Sequence, residues 1–322
     1  MPHTPSALNR RHIVQAAAAA PLLAALGGCA TRAGTATALT TAEQLAAAQW
    51  VTGGTAAISA AARALNPFTV GATTYTLTCE ATIGPCHTTS PQRVDVSDDW
   101  DGLPVHMVLR VVDTQCNPVP DAIVEIWHTN HTGGYSGQIV QMCNNNQADL
   151  NKQFFRGYQR TDAQGIVHFD TCFPGWYNGR ANHVHLRIMK GNYNADDRAQ
   201  AWAITQLLFP DALNQAIFAS QPLYKTKGQP DTTLDQDNVI GNEPDKSPYL
   251  FDVRNVGGVM MASKTLTIRT SLDAASCQAK GKMPQGFPSG PGGRMGPPPG
   301  FPADGMPSPR GMGPRPPMPP QS

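Results

Sequence analysis

The sequence has little charge of either sign, and this limits the partners that it can attract. Charged residues make up 15% of the 322 residues and balance to a formal net charge of +1 at pH 7. Proteins that bind nucleic acid or an anionic membrane surface electrostatically carry a clear positive excess. We therefore expect neither class of partner.

Long apolar runs are also scarce. The alanine-rich stretch at residues 16–26 is too short and too weakly apolar to span a membrane. It follows Asn9-Arg10-Arg11, a twin-arginine pattern, and precedes Leu26-Gly27-Gly28-Cys29, which resembles a lipobox with a less usual Gly27. We therefore predict that residues 1–29 are a Tat-type export signal, that the protein is periplasmic or at the cell surface, and that it contacts the membrane only through a lipid on Cys29. Ordinary signal cleavage nearby is the alternative.

The sequence contains no Cys-x-x-Cys pair, the usual signature of a zinc site built from cysteines. If Cys29 carries the lipid, an even number of cysteines remains, and in an exported protein this favours disulfides over zinc. The sequence leaves 15 pairings open. The six cysteines are Cys79, Cys86, Cys116, Cys143, Cys172 and Cys277.

Composition divides the rest of the chain into three parts. Residues 30–70 are alanine-rich and predict a short helical lead-in, which Gly53-Gly54 interrupts. Residues 282–322 consist mainly of proline, glycine and methionine and predict a disordered tail. Residues 71–281 have a length typical of one all-β domain.

Within that domain, short alternating segments separated by turn residues predict a β-sandwich of mainly antiparallel strands with long loops that carry the candidate site. We expect the first two strands to form a hairpin-like pair. Residues 211–220 have a helical pattern, with Asp211 as the predicted N-cap. The predicted strands are residues 103–112, 122–128, 154–160, 166–170, 183–188, 205–209 and 259–269.

His183 and His185 alternate with apolar residues in a predicted strand, so their rings lie on one face. Their Cα atoms are then roughly 6.5–7 Å apart, which lets both rings bind a single ion. Tyr177 lies just upstream, between two turn signals, and can fold back over these imidazoles. Tyr135 lies between glycines after an earlier strand, where the backbone can approach a ligand. Taken alone, a His-x-His pair is more often solvated, and a tyrosine like Tyr135 is more often structural.

Several motifs occur in an order that is similar to one family. They are Cys79-Glu80-x-Thr82-x-Gly84-Pro85, Glu125-Ile126-Trp127-His128, Gly134-Tyr135-Ser136-Gly137, Phe155-Arg156-Gly157, Thr161-Asp162-x-x-Gly165, Phe173-Pro174-Gly175-Trp176-Tyr177, Arg180-x-x-His183-x-His185 and Thr205-Gln206-Leu207-Leu208-Phe209. Together they resemble the intradiol ring-cleavage dioxygenases, above all the exported single-domain branch related to protocatechuate 3,4-dioxygenase subunits. The resemblance covers residues 77–209 well and extends weakly to residue 269.

The resemblance implies that four residues bind a non-haem ferric ion: Tyr135, Tyr177, His183 and His185. Two phenolates with two imidazoles favour Fe(III), and no carboxylate closely follows the histidines to complete a ferrous site. The resemblance further implies that a small catechol reacts with O2 and is cleaved between its hydroxyl-bearing carbons to a cis,cis-muconate. In this interpretation Tyr177 accepts a catechol proton, Arg180 stabilises negative charge on the ring, and Gln206 orients the reacting molecule.

Two other hypotheses stay open. One is a non-catalytic exported β-sandwich that binds carbohydrate or cell-wall material on a platform of Trp127, Trp176 and Tyr177. The other is a copper or zinc protein that uses only the two histidines. Asp235 and Asp237 carry no motif, and we interpret them as loop carboxylates. The sequence leaves the choice of catechol and the oligomeric state open.

Overall fold

The computed structural model describes residues 41–68, 76–138, 143–144, 146–196 and 201–282. The predicted export signal and all of the predicted tail after residue 282 lie outside the described residues, so both stay predictions. In the described part of the chain, no helix is long and apolar enough to cross a membrane.

The described chain folds mainly into two four-stranded sheets, which confirms the predicted β-sandwich. Sheet I has the order β4-β1-β8-β7, and sheet II has the order β3-β2-β5-β6. Neighbouring strands are antiparallel except β1 and β8, which run parallel. The strands are β1 (Pro104–Val112), β2 (Ile123–Trp127), β3 (Arg156–Arg160), β4 (Ile166–Cys172), β5 (His183–Met189), β6 (Ala201–Leu208), β7 (Asp252–Val256) and β8 (Val259–Thr267).

The core lies between the sheets, and strand periodicity decides which side chains enter it. On β5, Val184, Leu186 and Ile188 belong to the main core cluster. Because successive side chains of a strand point to opposite faces, the intervening His183 and His185 lie on the outer face of sheet II. Loops cover that face, so every residue of β5 is buried.

The predicted pairing of the first two strands is wrong. β1 lies between β4 and β8 in sheet I, whereas β2 lies between β3 and β5 in sheet II. The connection passes from one sheet to the other through a tight turn, in which the Asp113 amide donates to the Asn117 carbonyl. Both strands are almost wholly buried, so their apolar patterns mark them as core strands without indicating a partner.

The helices are few and short. The lead-in forms α1 (Ala42–Ala46), a 3-10 turn (Gly54–Ala57) and α2 (Ala60–Ala64), with two more 3-10 turns at Gln147–Asp149 and Ser247–Tyr249. After β6 come α3 (Asp211–Ser220) and α4 (Pro222–Lys225). The prediction that Asp211 is the N-cap of α3 is wrong, because Pro210 occupies that position. The Asp211 carboxylate instead accepts a hydrogen bond from the Leu234 amide at 3.1 Å.

Two disulfides lie within the described residues, Cys79–Cys277 and Cys86–Cys143. Cys172, a predicted member of the disulfide set, is instead a buried free thiol. Burial raises the pKa of this thiol to about 12, so it stays protonated and unreactive.

A buried ion pair stabilises the outer face of sheet II. Arg187 Nε donates to Glu125 Oε2 at 2.8 Å, and both side chains are fully buried. The same carboxylate accepts hydrogen bonds from Ser90 Oγ at 2.7 Å and from Tyr193 Oη at 2.8 Å. Removing the arginine would leave a buried carboxylate without its cation.

We therefore expect Arg187→Met to lower the free energy of unfolding by about 3–5 kcal/mol. Arg160 on β3 is the matched control, because its ion pair with Asp121 is partly exposed and the same substitution there should cost less than about 1 kcal/mol. Denaturant unfolding of the two variants measures both values. Equal losses would show that the buried pair contributes no more than the exposed one.

Candidate metal centre

Strand β5 presents two imidazoles side by side on the outer face of sheet II. In the sheet register His183 lies opposite Leu208, and His185 lies between Trp127 and Gln206. His183 Nδ1 donates to the Ala181 carbonyl at 2.7 Å, so its Nε2 atom carries the free lone pair. That atom faces His185 Nε2 at 3.1 Å.

Two loops bring tyrosines over this face, and glycine allows the loops to touch. The loop after β2 contains Tyr135, and the loop between β4 and β5 contains Tyr177. The Gly175 amide donates to the Asn130 carbonyl at 3.0 Å. A Cβ atom on Gly175 would lie only 2.5 Å from that carbonyl oxygen, so a larger residue would push the loops apart.

Four donor atoms converge where the loops meet the strand. Tyr135 Oη lies 3.3 Å, Tyr177 Oη 3.2 Å and His185 Nε2 3.1 Å from His183 Nε2. Tyr135, His183 and His185 are buried, whereas Tyr177 is half-buried. We call Tyr135, Tyr177, His183 and His185 the donor cluster.

Burial controls the protonation of the cluster. It lowers the pKa of His183 well below its usual value, helped by the charge of Arg180, and it lowers the pKa of His185 in the same direction. Both imidazoles are therefore neutral near pH 7, which is the form that binds metals. Burial raises the pKa of Tyr135 well above its usual value, and a bound cation would offset that effect.

These donors fit the ferric ion that the resemblance implies. Two phenol oxygens and two imidazole nitrogens are hard or intermediate ligands, and such a set suits Fe(III). No carboxylate belongs to the cluster. Across the described ranges, no group of three or more His, Cys, Asp or Glu side chains could hold a metal ion, so the tyrosines distinguish this candidate centre.

The two other predicted site residues lie at the edge of the donor cluster. Arg180 Nη1 lies 3.4 Å from His183 Nε2, and Arg180 Nη2 donates to Gln206 Oε1. Gln206 Nε2 donates to the Thr82 carbonyl at 2.8 Å. The sheet and loops thus bring all six predicted site residues together.

Sequence reasoning missed Asp237. We interpreted it as a loop carboxylate, but it is fully buried and accepts a hydrogen bond from Arg180 Nε at 2.9 Å. Its only local signal is the apolar pair Val239-Ile240 that follows it. Only the folded chain brings it to Arg180.

The disulfide Cys86–Cys143 was not predicted as part of the site either. It packs in one cluster with Trp127 and Tyr135, and the Cys143 carbonyl accepts a hydrogen bond from the Tyr135 amide at 2.9 Å. The covalent link therefore helps to fix the loop that carries the buried tyrosine.

The tryptophans do not form an open platform. Trp127 is fully buried and stacks on the His185 ring, with centroids 4.9 Å apart. Trp176 is half-buried beneath Lys227, whose Nζ lies 4.8 Å from the ring centroid. Because Trp127 is fully buried and Lys227 lies over the Trp176 ring, the hypothesis of a carbohydrate-binding platform is not favoured.

Fold and site define a β-sandwich protein with a cluster of two tyrosines and two histidines, of which only Tyr177 is partly exposed. A family model described as "Dioxygenase" matches residues 84–211, which include the whole cluster. The protocatechuate 3,4-dioxygenase beta chain of Burkholderia cepacia is 30% identical over 135 residues, and an intradiol ring-cleavage dioxygenase of Aspergillus niger is 27% identical over 134 residues. The chain is therefore similar to intradiol ring-cleavage dioxygenases over part of its length.

The shares of length that match differ among these relatives. The matches span 39% of this chain and 51% of the Burkholderia protein, and 35% of this chain and 38% of the Aspergillus protein. The chain thus spans about half or less of the curated relatives. The structure of an intradiol ring-cleavage dioxygenase from Tetranychus urticae is matched over 61% of this chain and 95% of that one, with 25% identity and a TM-score of 0.51.

Proposed function

We propose that this protein is a non-haem Fe(III) intradiol dioxygenase. Its substrates would be a small catechol and O2, and its product a cis,cis-muconate formed by cleavage between the two hydroxyl-bearing carbons. The observation that carries this proposal is the convergence of two phenol oxygens and the His185 imidazole nitrogen within 3.1–3.3 Å of His183 Nε2.

Tyr135, Tyr177, His183 and His185 would hold the iron. Ferric iron bound there would act as a Lewis acid on the oxygens of the catechol. The copper or zinc hypothesis, which uses the histidines alone, does not account for two tyrosine oxygens directed at the same nitrogen.

The chain's own residues would divide the remaining work. Tyr177 is the only half-exposed member of the donor cluster, so its Oη can reach an incoming substrate and accept a proton from a catechol hydroxyl. Arg180 presents Nη1 to the cluster and would stabilise negative charge on the ring. Gln206, fixed by Thr82 and Arg180, would orient the reacting molecule. Trp127 and Tyr135 are fully buried and exclude water from the inner side.

Export of the protein is part of the same proposal. Two disulfides suit an oxidising compartment, which supports the predicted Tat signal and a periplasmic or cell-surface location. Membrane contact would then come only from a lipid on Cys29.

The proposal is tested by the visible spectrum and iron content of the purified protein, before and after addition of catechol under air. We expect a phenolate-to-Fe(III) absorption band that changes with catechol, uptake of O2, and a muconate that mass spectrometry identifies. A protein that stays colourless after ferric iron is supplied, and leaves catechol intact, would refute the proposal.

A further inference from the structure

Asp237 is a buried carboxylate whose two oxygens have different partners. Oδ2 accepts hydrogen bonds from Arg180 Nε at 2.9 Å and from the Ala181 amide at 2.8 Å. Oδ1 accepts hydrogen bonds from the amides of Val239 at 2.8 Å and Ile240 at 3.0 Å. One oxygen therefore holds the turn of its own segment, and the other holds the segment that leads into His183.

The segment that carries Asp237 is anchored independently of the donor cluster. Val239 and Ile240 pack with Ala181, Leu208 and Tyr249 in a separate apolar cluster. The carbonyl of Asp237 accepts a hydrogen bond from the Gly241 amide at 2.9 Å. The carboxylate is therefore part of a packed platform beside the site, and the segment that carries it lies beyond residue 211, where the family match ends.

Each nitrogen of the Arg180 guanidinium has its own partner. Nε donates to Asp237, Nη2 donates to Gln206, and Nη1 is left to face His183 Nε2. Arg180 is buried, and burial alone would lower its pKa, yet the nearby Tyr177 and Asp237 raise it above the usual value. A planar guanidinium that is hydrogen-bonded through Nε and Nη2 cannot rotate, so the direction of Nη1 is fixed.

We propose that Asp237 is the positioning residue of Arg180, and that its carboxylate fixes the guanidinium so that Nη1 faces the donor cluster. This inference rests on the proposed function, since it gives Arg180 a defined direction toward the reacting molecule. The hydrogen bonds of Asp237 go to Arg180 and to backbone amides, not to the four donors, so its side-chain link to the cluster runs through the arginine. Without it, Arg180 would keep its charge but lose its direction.

Replacing Asp237 with asparagine is a sharp test, because asparagine keeps the shape of the side chain but has only one acceptor oxygen instead of two. Both carboxylate oxygens accept hydrogen bonds, so an Asn amide would place its NH2 group against N–H donors in either orientation. Asp235 is the matched control, since it is exposed and its carboxylate pairs with Lys246 at 2.8 Å. Asp235→Asn should therefore leave turnover unchanged.

We expect Asp237→Asn to lower kcat about 10- to 100-fold with KM within about threefold, because correct positioning of a charged group contributes in the transition state. Iron content and the visible band should stay those of the wild type, because the four donors are intact. Asp237→Asn/Arg180→Ala should be no slower than Arg180→Ala alone. Losses that multiply in the double variant, or full turnover in Asp237→Asn, would overturn the proposal.

A second test does not depend on iron or activity. In the metal-free protein, the melting temperatures of Asp237→Asn, Arg180→Ala and the double variant form a cycle, and coupling predicts that the two shifts do not add. Additive shifts would overturn the positioning role even if the protein proves to be an active dioxygenase. Conversely, non-additive shifts in a protein without ferric colour would refute the proposed dioxygenase function but not the positioning role of Asp237.

If Asp237→Asn does not fold, Arg180→Lys replaces it as the test variant, because one ammonium cannot reach both Asp237 and Gln206. Full turnover in Arg180→Lys would overturn the proposal.

Discussion

Replacing His183 with alanine is expected to abolish ferric iron binding and ring cleavage together. His183 Nε2 is the atom on which the other three donors converge, at 3.1–3.3 Å, so its removal empties the middle of the cluster. Loss of a partner behind a metal ligand typically weakens metal binding about 10- to 100-fold, and loss of the ligand itself should cost more than about 100-fold. Iron content after dialysis, the visible spectrum and O2 uptake measure the effect.

The control for this variant is His168→Ala. His168 is half-buried on β4 in sheet I, where its ring stacks on His106 with centroids 5.4 Å apart. This variant should keep iron, colour and turnover. Retention of a full complement of iron by His183→Ala would mean that the metal, if any, binds elsewhere, and the proposed function would fall with it.

The side-by-side arrangement of His183 and His185 follows from strand periodicity, which is a local property of the sequence. Alternation with Val184 and Leu186 is enough to place both imidazoles on one face, and the structure has that arrangement. The turn residues before Tyr177 likewise indicate a loop that folds back over the imidazoles, and Tyr177 Oη lies 3.2 Å from His183 Nε2. Arrangements between residues two to six positions apart in the sequence could therefore be predicted.

Arrangements that depend on contacts between distant parts of the chain could not be predicted from the sequence. The sheet that β2 joins is decided by its neighbours β3 and β5, and a fully buried strand carries no pattern that identifies them. Asp237 reaches Arg180 across 57 residues of sequence, and nothing near it marks its role. The link of Cys86 to Cys143 beside Tyr135 is likewise one of many pairings until the chain is folded.

Burial and charge explain why these distant contacts surround the donor cluster. Arg180 is a buried cation next to neutral imidazoles, and a buried charge is costly unless it is paired and hydrogen-bonded. The carboxylate of Asp237 supplies both needs, and it does so at Nε, which leaves Nη1 facing the cluster. The site can therefore hold a fixed positive charge beside the candidate metal without placing a carboxylate among its ligands.

Tyr177 should be the residue whose loss slows chemistry most while leaving iron bound. Tyr177→Phe removes the one donor that is half-exposed and keeps the ring, so packing against Cys86–Cys143 and Tyr135 is preserved. Three donors stay in place, and we expect iron to be retained with a weaker visible band, because one of two phenolate ligands is gone. If Tyr177 Oη accepts a catechol proton, kcat should fall about 10²- to 10⁴-fold, the range typical of general acid–base groups.

Tyr158→Phe provides the matched control, since Tyr158 lies on β3 and stacks on Tyr193 with ring centroids 4.1 Å apart, away from the cluster. Stopped-flow mixing with catechol under anaerobic conditions separates substrate binding and deprotonation from the later reaction with O2. The Tyr177→Phe variant should be slow in the first phase, and the Tyr158→Phe variant should match the wild type in both. A Tyr177→Phe variant with unchanged colour and an unchanged first phase would assign proton acceptance to another group. Tyr177 would then only line the site, because its ring without the oxygen would be sufficient for normal turnover.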